Sequence, residues 1–269
     1  MSLTRTYAVF LRQFYLFRSN PTRLFSIFIW LVIDIVLWGF ISRYLGSFGS
    51  ATFNFLNVIL GAIILWEFGT RIQQGVMMSF LEDVWSQNFV NYFASPLKII
   101  EYLSGLVLSA ITTGLCGFFL VAAIAGLAFG YDMFKVGLLL IPFMTLLLIF
   151  GISMGIFVSG VIFRLGPTAE WLGWPIPMVL SVFAGVYYPI ATLPVPLQYI
   201  AKLVPASYVF ESLRAILATH TFTTALAVNL VTGTLIAFVY LGLAYAFFIA
   251  IYRHNLQNGS IAQFSAEGL

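Results

Sequence analysis

The amino-acid sequence predicts an all-α membrane protein with six transmembrane helices, an N-terminal interfacial amphipathic helix, and a re-entrant outer helical hairpin before the last span. Three observations lead to this fold class. Of the 269 residues, 61% are hydrophobic and only 8% are charged, whereas soluble domains carry roughly 25% charged residues. Several apolar runs reach the length of about 20 residues that a helix needs to cross the hydrocarbon core. Four prolines interrupt a further apolar stretch near residue 200, which excludes one continuous helix there.

Residues 1–20 form the first predicted element, an amphipathic helix in the membrane interface. We expect its basic side to face lipid head groups, and Asn20-Pro21 to end it. The alternative is a disordered basic leader. The prediction rests on apolar residues at three- and four-residue spacing, with polar residues elsewhere on the helical wheel: Leu3, Tyr7, Phe10, Leu11, Phe14 and Phe17 against Arg5, Arg12 and Gln13.

Six apolar segments qualify as spans, although the fifth is short. They are Leu24–Ile41, Phe53–Gly69, Tyr102–Phe129, Val136–Phe163, Trp174–Tyr188 and Ala225–Tyr252. If the N-terminus is cytoplasmic, eight lysines and arginines lie inside and four outside, which satisfies the positive-inside rule. Both termini, including the polar tail 253–269, are therefore predicted to be cytoplasmic. No linker or clear repeat divides residues 1–269, so we expect a single transmembrane domain.

A half-polar stretch, residues 80–98, follows the second span. A helix here would end at Pro96 and would lie on the cytoplasmic side. Two interpretations remain open: a helix resting in lipid, or a docking helix that fits a groove on a soluble partner. On its wheel, aromatic and apolar side chains oppose polar ones: Leu81, Trp85, Phe89, Tyr92 and Phe93 against Glu82, Asp83, Ser86, Gln87 and Asn91.

A second cytoplasmic turn lies between the fourth and fifth spans. Its sequence, FRLGPTAEWLGWP, carries Arg164 and Glu170, one charge of each sign, around a Gly-Pro pair. Taken alone, this pattern is typical of an ordinary loop.

The predicted outer hairpin comprises residues 189–217. Leu197–Leu203 and Tyr208–Leu217 each have the composition of a short helix, with Pro205 between them. Glu211 and Arg214 stand at i and i+3, where opposite charges can pair. Irregular backbone at membrane depth is tolerated only when it is buried in protein or lines a cavity. An interfacial loop is the alternative.

Few ionisable residues fall within the spans. Asp34 lies in the middle of the first span, and because charge is costly there, a functional role is a fair default. Asp34 is equally consistent with a structural role, in which its side chain forms a hydrogen bond to a neighbouring helix. Glu67 and Arg71 stand at i and i+4 in the favourable order for a helical ion pair. We expect this pair either to stabilise the structure or to hold a gate closed.

The sequence lacks the motifs of a self-sufficient enzyme. It has no P-loop, no histidine, cysteine and carboxylate cluster with metal-ligand spacing, and no nucleophile elbow. The single cysteine, Cys116, excludes an intrachain disulfide. We expect no catalytic residue, metal or cofactor in this chain, and no nucleic-acid partner.

The order of these elements resembles the membrane subunits, or permeases, of type-2 ABC exporters over nearly the whole chain. The most specific pieces are FLEDVWSQNFVNYFASPLKIIEYLSG and GVYYPIATLPVPLQYIAKLVPASYVFESLRAIL. The resemblance implies that the first piece holds the coupling helix, which contacts the ATPase subunit. It also implies an aromatic-Pro end to span five and a Glu-x-x-Arg in the outer hairpin.

The resemblance further implies a division of labour between subunits. MgATP would be bound and hydrolysed by a separate cytosolic ATP-binding cassette subunit, two copies of which join two copies of this chain. The expected location is the cell inner membrane, and the expected cargo is amphipathic: a lipid-linked saccharide or a hydrophobic drug-like molecule. Coupling would involve Glu82, Asp83, Val84, Trp85 and Phe89, with Arg164 and Glu170 as a second contact. Pathway candidates along the dimer interface are Asp34, Val182, Phe183 and Tyr187.

Two rival functions would work without an ATPase. A proton-coupled secondary transporter would depend on Asp34. A membrane enzyme acting on lipid-linked substrates would need clustered acids or histidines near one interface, and the sequence shows none.

Overall fold

The structure is a computed structural model that describes residues 2–19, 21–48, 55–86, 92, 95–219, 221 and 223–258. These residues are predominantly helical, with no strand among them, so the predicted all-α class is confirmed for the described part of the chain. The α-helices are α1 (Leu3–Ser19), α2 (Pro21–Phe48), α3 (Phe55–Trp85), α4 (Ile99–Phe129), α5 (Leu140–Leu165), α6 (Pro175–Ala184), α7 (Val195–Leu203), α8 (Pro205–Thr219) and α9 (Thr224–Gln257). The 3-10 helices among the described residues are Met133–Leu139, Pro167–Gly173 and Ile190–Thr192.

Local sequence signals account for several helix ends. Glu101, in the first turn of α4, accepts the backbone N–H of Lys98 at 3.1 Å, which satisfies a donor that the helix leaves free. Gly130 ends α4 in the left-handed conformation, with φ +67°. Thr223 caps α9, because its side chain accepts the N–H of Leu226.

Helix α3 lies at the centre of the bundle. It packs along α4 and α5 and also contacts α2, while α9 packs along α5 and α8, and α1 lies on α4. Glycines permit the close approach of α3 and α5. A Cβ atom at Gly151 would stand 2.6 Å from the carbonyl oxygen of Gly69, and one at Gly155 would stand 2.9 Å from that of Gln73. Small residues at such contacts let helix backbones approach within a membrane.

Within the described part of the chain, four helices are long and apolar enough to cross a membrane. They comprise Phe28–Ser47, Ile99–Phe129, Met133–Leu165 and Thr224–Gln257, and they coincide with the first, third, fourth and sixth predicted spans. The chain is therefore a multi-pass membrane protein. The predicted count of six is not confirmed.

The fifth predicted span, Trp174–Tyr188, requires a correction. Only Pro175–Ala184 is α-helical, because a 3-10 helix precedes it and Gly185 ends it with φ +72°. Ten residues reach about 15 Å at 1.5 Å per residue, which is half the thickness of the hydrocarbon core. The segment cannot cross as a simple helix.

The region after the second predicted span also differs from expectation. Residues 80–85 are the last turns of α3, continuous with the helix that begins at Phe55, and not the start of a separate helix. Pro96 lies in a turn. Phe89 and the remainder of the predicted coupling helix between residues 87 and 94, apart from Tyr92, lie outside the described residues.

The outer segment forms two short helices, α7 and α8, in the two regions predicted. Pro205 is the first residue of α8, a position where proline costs no helical hydrogen bond. Whether the pair re-enters the membrane stays a prediction. Helix α9 extends to Gln257, so the predicted loose tail begins with helix; residues 259–269 lie outside the described residues.

Candidate functional site

The C-terminal end of α3, residues 80–85, is called here the α3 terminus. One side of it packs into the protein, and the other side lies at the surface. Phe80, Leu81 and Val84 are buried, and Phe80 contacts the rings of Phe163 and Phe248 with centroids 5.7 and 5.8 Å away. Those aromatic contacts fix the α3 terminus against α5 and α9.

The exposed side of the α3 terminus carries a tryptophan. Trp85, the last residue of the helix, is 52% exposed, and Glu82, one turn earlier, is half-buried. An exposed tryptophan beside an acid is the kind of surface that anchors protein–protein contacts.

Asp83 does not belong to that surface. The sequence pattern places it on the polar, accessible face, but its side chain is 0% exposed and forms an ion pair with Arg12 of α1. The hydroxyl of Tyr102, in α4, donates to the second carboxylate oxygen at 2.7 Å. A buried carboxylate is tolerated only when it is paired and hydrogen-bonded. Asp83 therefore joins α1, α3 and α4.

The surroundings of this ion pair shift nearby ionisation. The guanidinium of Arg12 lies over the ring of Tyr92, 5.3 Å from its centroid. The pKa of Tyr92 is raised to about 12, first because burial disfavours the phenolate and second because Asp83 is close. Burial lowers the pKa of Arg12, but its attraction to Asp83 outweighs this and the net change is upward. Arg12 is thus charged and Tyr92 neutral at physiological pH.

A second tie holds the start of α1. Arg5 donates to the backbone carbonyl of Pro96 and lies 3.5 Å from Glu101 of α4. Glu101 also accepts the backbone N–H of Ser2. Helix α1 is thus fixed at two points to the connection between α3 and α4.

These contacts correct the predicted orientation of α1. Arg5 and Arg12 turn toward the protein rather than toward lipid head groups, and Gln13, which is fully buried, donates to the carbonyl of Ser79 at 3.2 Å. The exposed face instead carries Leu3 and Tyr7, together with other apolar residues. Such a face fits an interfacial location through its apolar side chains.

The turn between α5 and α6 lies beside α3. Arg164 is exposed in the last turn of α5, which Gly166 ends with φ +92°. Glu170 is half-buried in the 3-10 helix Pro167–Gly173. The side chain of Gln73, in α3, donates to the carbonyl of Gly173 at 3.3 Å, so the turn is held against that helix.

A charged cluster of three residues, Asp34, Glu67 and Arg71, lies between α2 and α3. Glu67 and Arg71 form the predicted pair, with Oε2 and the guanidinium nitrogen 4.0 Å apart and both side chains largely buried. Asp34 is half-buried and interacts electrostatically with Arg71. The structure therefore brings together acids that the sequence treats separately.

The predicted pathway residues of the fifth span lie in or just after α6. Val182 and Tyr187 are exposed, and Phe183 is half-buried. The ring of Tyr187 stacks on Trp38 of α2, with centroids 4.8 Å apart and an interplanar angle of 19°. Trp38 was not among the predicted site residues, because its position four residues after Asp34 is not visible in the pattern of charges alone.

Glu211 and Arg214 hold the turn that follows α6. They pair at 3.1 Å, and Arg214 also donates to the carbonyls of Gly185 and Val186. Glu211 accepts the backbone N–H of Ile190 at 3.0 Å. The sequence spacing predicts the Glu211–Arg214 pair. It does not predict that Arg214 also donates to backbone carbonyls just after the end of α6, because that contact depends on the tertiary structure. We call these contacts the Arg214 clamp.

Among the described residues, no group of three or more histidine, cysteine, aspartate or glutamate side chains lies close enough to hold a metal ion. Residues 4–218 match the family model described as ABC-2 type transporter. No curated protein matches the chain.

Proposed function

Because the chain belongs to the ABC-2 type transporter family, we propose that it is the permease subunit of an ATP-driven exporter that works with a separate cytosolic ATP-binding cassette ATPase. Family members are membrane transport components and not enzymes themselves. MgATP would be bound and hydrolysed by the partner. The observation that carries the proposal is the α3 terminus, which is locked inside the protein on one side and presents Trp85 on the other.

The α3 terminus has the rigidity that coupling requires. A partner that pushes on Trp85 and Glu82 moves Asp83 with them, because all three are on the same helical turns. Asp83 is tied to Arg12 and Tyr102, so α1 and the start of α4 follow. Asp83 and Val84 thus act in coupling as internal anchors, while Trp85 and Glu82 make the contact. Phe89 stays a candidate for the same surface.

Helix α3 provides a direct mechanical path into the membrane. Its 31 residues span about 46 Å at 1.5 Å per residue, without a proline. Trp85 lies 14 residues beyond Arg71, or about 21 Å along the axis. A displacement at the α3 terminus therefore reaches the charged cluster as movement of one helix. Arg164 and Glu170, in the turn held against α3, form the second contact.

The proposed assembly contains two copies of this chain and two ATPases in the cell inner membrane, with both termini cytoplasmic. In this arrangement α3 supplies the second span, the short α6 with its flanking non-helical segments takes the place of a full fifth span, and α7–α8 form the outer hairpin. The export pathway runs between the two copies, lined by Asp34, Val182, Phe183 and Tyr187. An amphipathic cargo fits a path that combines apolar side chains with a few charges.

The first experiment is purification of the tagged chain from its native membranes in mild detergent, with ATP hydrolysis assayed on the same sample. We expect a cytosolic ATPase in equal stoichiometry. Trp85→Ala combined with Glu82→Ala should remove it, whereas Phe134→Ala should not. Phe134 is a matched control because it is also an exposed aromatic residue but lies beyond the opposite end of α4.

A proton-coupled carrier is the second candidate, favoured by Asp34, a half-buried acid. If the wild-type chain purifies without an ATPase and its reconstituted transport follows a pH gradient, the permease proposal is wrong and Asp34 becomes the central residue.

A further inference from the structure

Two tryptophans flank Asp34 along α2. Trp30, Asp34 and Trp38 stand at i, i+4 and i+8, a spacing that places all three on one face of the helix. Trp30 is 61% exposed, while Asp34 and Trp38 are half-buried. The acid therefore has an indole one turn away on each side, within a segment long and apolar enough to cross the membrane.

Arg71 attracts the carboxylate of Asp34, but the ion pair of Arg71 is with Glu67. Among the described residues, no basic side chain forms an ion pair with Asp34, whereas Glu67 of the same charged cluster has Arg71 at 4.0 Å. Two carboxylates and one guanidinium leave the cluster with a formal charge of −1. An acid in an apolar segment is costly unless it finds a partner, so the position favours a positively charged occupant.

A third aromatic ring completes the surroundings. Tyr187, which follows α6, stacks on Trp38 at 4.8 Å and interacts electrostatically with both Asp34 and Glu67. The side chain of Tyr187 is partly exposed. Aromatic faces attract cations, and indole does so most strongly. An acid surrounded by indole and phenol rings combines the two chemistries that recognise an organic cation.

We propose that Trp30, Asp34, Trp38 and Tyr187 form a site for the ammonium or phosphonium group of an amphipathic cargo. The proposal rests on the permease function above and narrows its cargo. A molecule with a permanent or protonated cationic centre and apolar substituents is accepted. A cargo that must pass an anionic phosphate or carboxylate through this site is disfavoured by the negative cluster.

The test uses two probes of nearly the same shape and opposite charge, tetraphenylphosphonium and tetraphenylborate. The complex of this chain with its ATPase is placed in nanodiscs of zwitterionic lipid, and binding is measured by quenching of tryptophan fluorescence and by calorimetry. We expect saturable binding of the phosphonium and no saturable binding of the borate. Asp34→Asn should weaken phosphonium binding about tenfold, as loss of one poorly solvated charge contact implies.

Matched variants separate the site from general hydrophobicity. Trp30→Leu and Trp38→Leu should each weaken phosphonium binding roughly threefold to tenfold, the range of a cation–aromatic contact. Phe40→Leu should leave it unchanged, because Phe40 is also an exposed aromatic residue of α2 but lies outside the four-residue spacing. Asp34→Glu should retain most of the affinity.

Equal binding of the two probes, or phosphonium binding that Asp34→Asn leaves intact, would overturn the proposal. If the ATPase co-purifies and hydrolyses ATP in that case, the permease function stands and only the cation site is wrong. If no ATPase associates, the permease function fails, while probe binding to the chain alone still decides the site. Should Asp34→Asn fail to fold, comparison of Asp34→Glu and Trp30→Leu with wild type carries the same decision.

Discussion

Two acids in this protein, Asp83 and Asp34, have opposite surroundings. Asp83 is fully buried, pairs with Arg12 and accepts the hydroxyl of Tyr102. Asp34 is half-buried, has no ion pair within the described residues, and has an exposed tryptophan one turn away. A carboxylate whose partners all come from the protein holds helices together. A carboxylate left without one is available to a ligand, and the two should respond differently to the same substitution.

The largest loss of stability is expected at the first acid. Asp83→Asn leaves the partly buried Arg12 without its counter-charge, and breaking a buried pair in this way costs about 3 kcal/mol. We expect a lower thermal unfolding temperature together with weaker co-purification of the ATPase. Combining Asp83→Leu with Arg12→Leu should restore part of the stability. A Asp83→Asn protein as stable as wild type would contradict the anchoring role.

The next largest loss of stability is expected where α3 and α5 pack closely at Gly151. Gly151→Ala places a Cβ atom 2.6 Å from the carbonyl of Gly69, so the helices must separate, at a cost of about 1–3 kcal/mol. Gly242→Ala is the control, because nothing lies within 4 Å of a Cβ atom there. It should be neutral or slightly stabilising. Equal unfolding temperatures for the two variants would show that α3 and α5 are not in close contact.

The hydrogen bond from the Tyr102 hydroxyl to Asp83 can be tested separately from the ion pair between Asp83 and Arg12. Tyr102→Phe removes one hydrogen bond to Asp83 and leaves the ion pair, so we expect a loss of about 1.5 kcal/mol. The measurement is the shift in the unfolding midpoint. Tyr7→Phe, on the exposed face of α1, should produce no shift. An equal shift in both variants would indicate that the Asp83 contact adds nothing.

The Arg214 clamp should give a local effect. Arg214→Gln removes the donors to the carbonyls of Gly185 and Val186 and the charge that pairs with Glu211. Amide hydrogen exchange should become faster at residues 186–192, with a small change in global stability. Lys202→Gln, in α7, is the control. Unchanged exchange at residues 186–192 would contradict the clamp.

The smallest effect on stability is expected at the second acid. Asp34→Asn removes a charge that forms no ion pair among the described residues and is attracted by Arg71 only from a distance, so the unfolding free energy should change by less than about 1 kcal/mol. Cargo-stimulated ATP hydrolysis should nevertheless fall. A loss of stability as large as that of Asp83→Asn would place the two acids in the same structural class and remove the distinction.

Hydropathy was a good guide to the long helices because it is a local property. Local sequence patterns did not predict which side chains are buried at the α3 terminus. The wheel of residues 80–98 gave Asp83 to the accessible face, but Arg12 lies 71 positions earlier in the chain, and no local pattern identifies a partner at that distance. The short α6 was overestimated because its flanking residues are apolar without being helical.

Part of the candidate site was readable from spacing alone. Glu67 with Arg71 and Glu211 with Arg214 stand at helical intervals, and both pairs form. Trp30, Asp34 and Trp38 are also spaced by four residues, which places the acid between two tryptophans on one helical face. A search for charged pairs alone does not find this arrangement. The stacking of Tyr187 on Trp38 joins segments nearly 150 residues apart, so only the tertiary structure brings it to the site.

The most direct test of the account is a cross-link from the α3 terminus to the ATPase. In a Cys116→Ser background, which removes the only cysteine, Trp85→Cys is labelled with a maleimide–benzophenone reagent, and light should then cross-link it to the cytosolic ATPase in native membranes. The maleimide forms a thioether with the introduced thiol, and the excited benzophenone inserts into C–H bonds of the adjacent chain, so the ATPase needs no cysteine. Phe134→Cys should not cross-link to the ATPase. No ATPase cross-link from position 85, or equal cross-linking from both positions, would contradict the conclusion that the α3 terminus is the coupling surface.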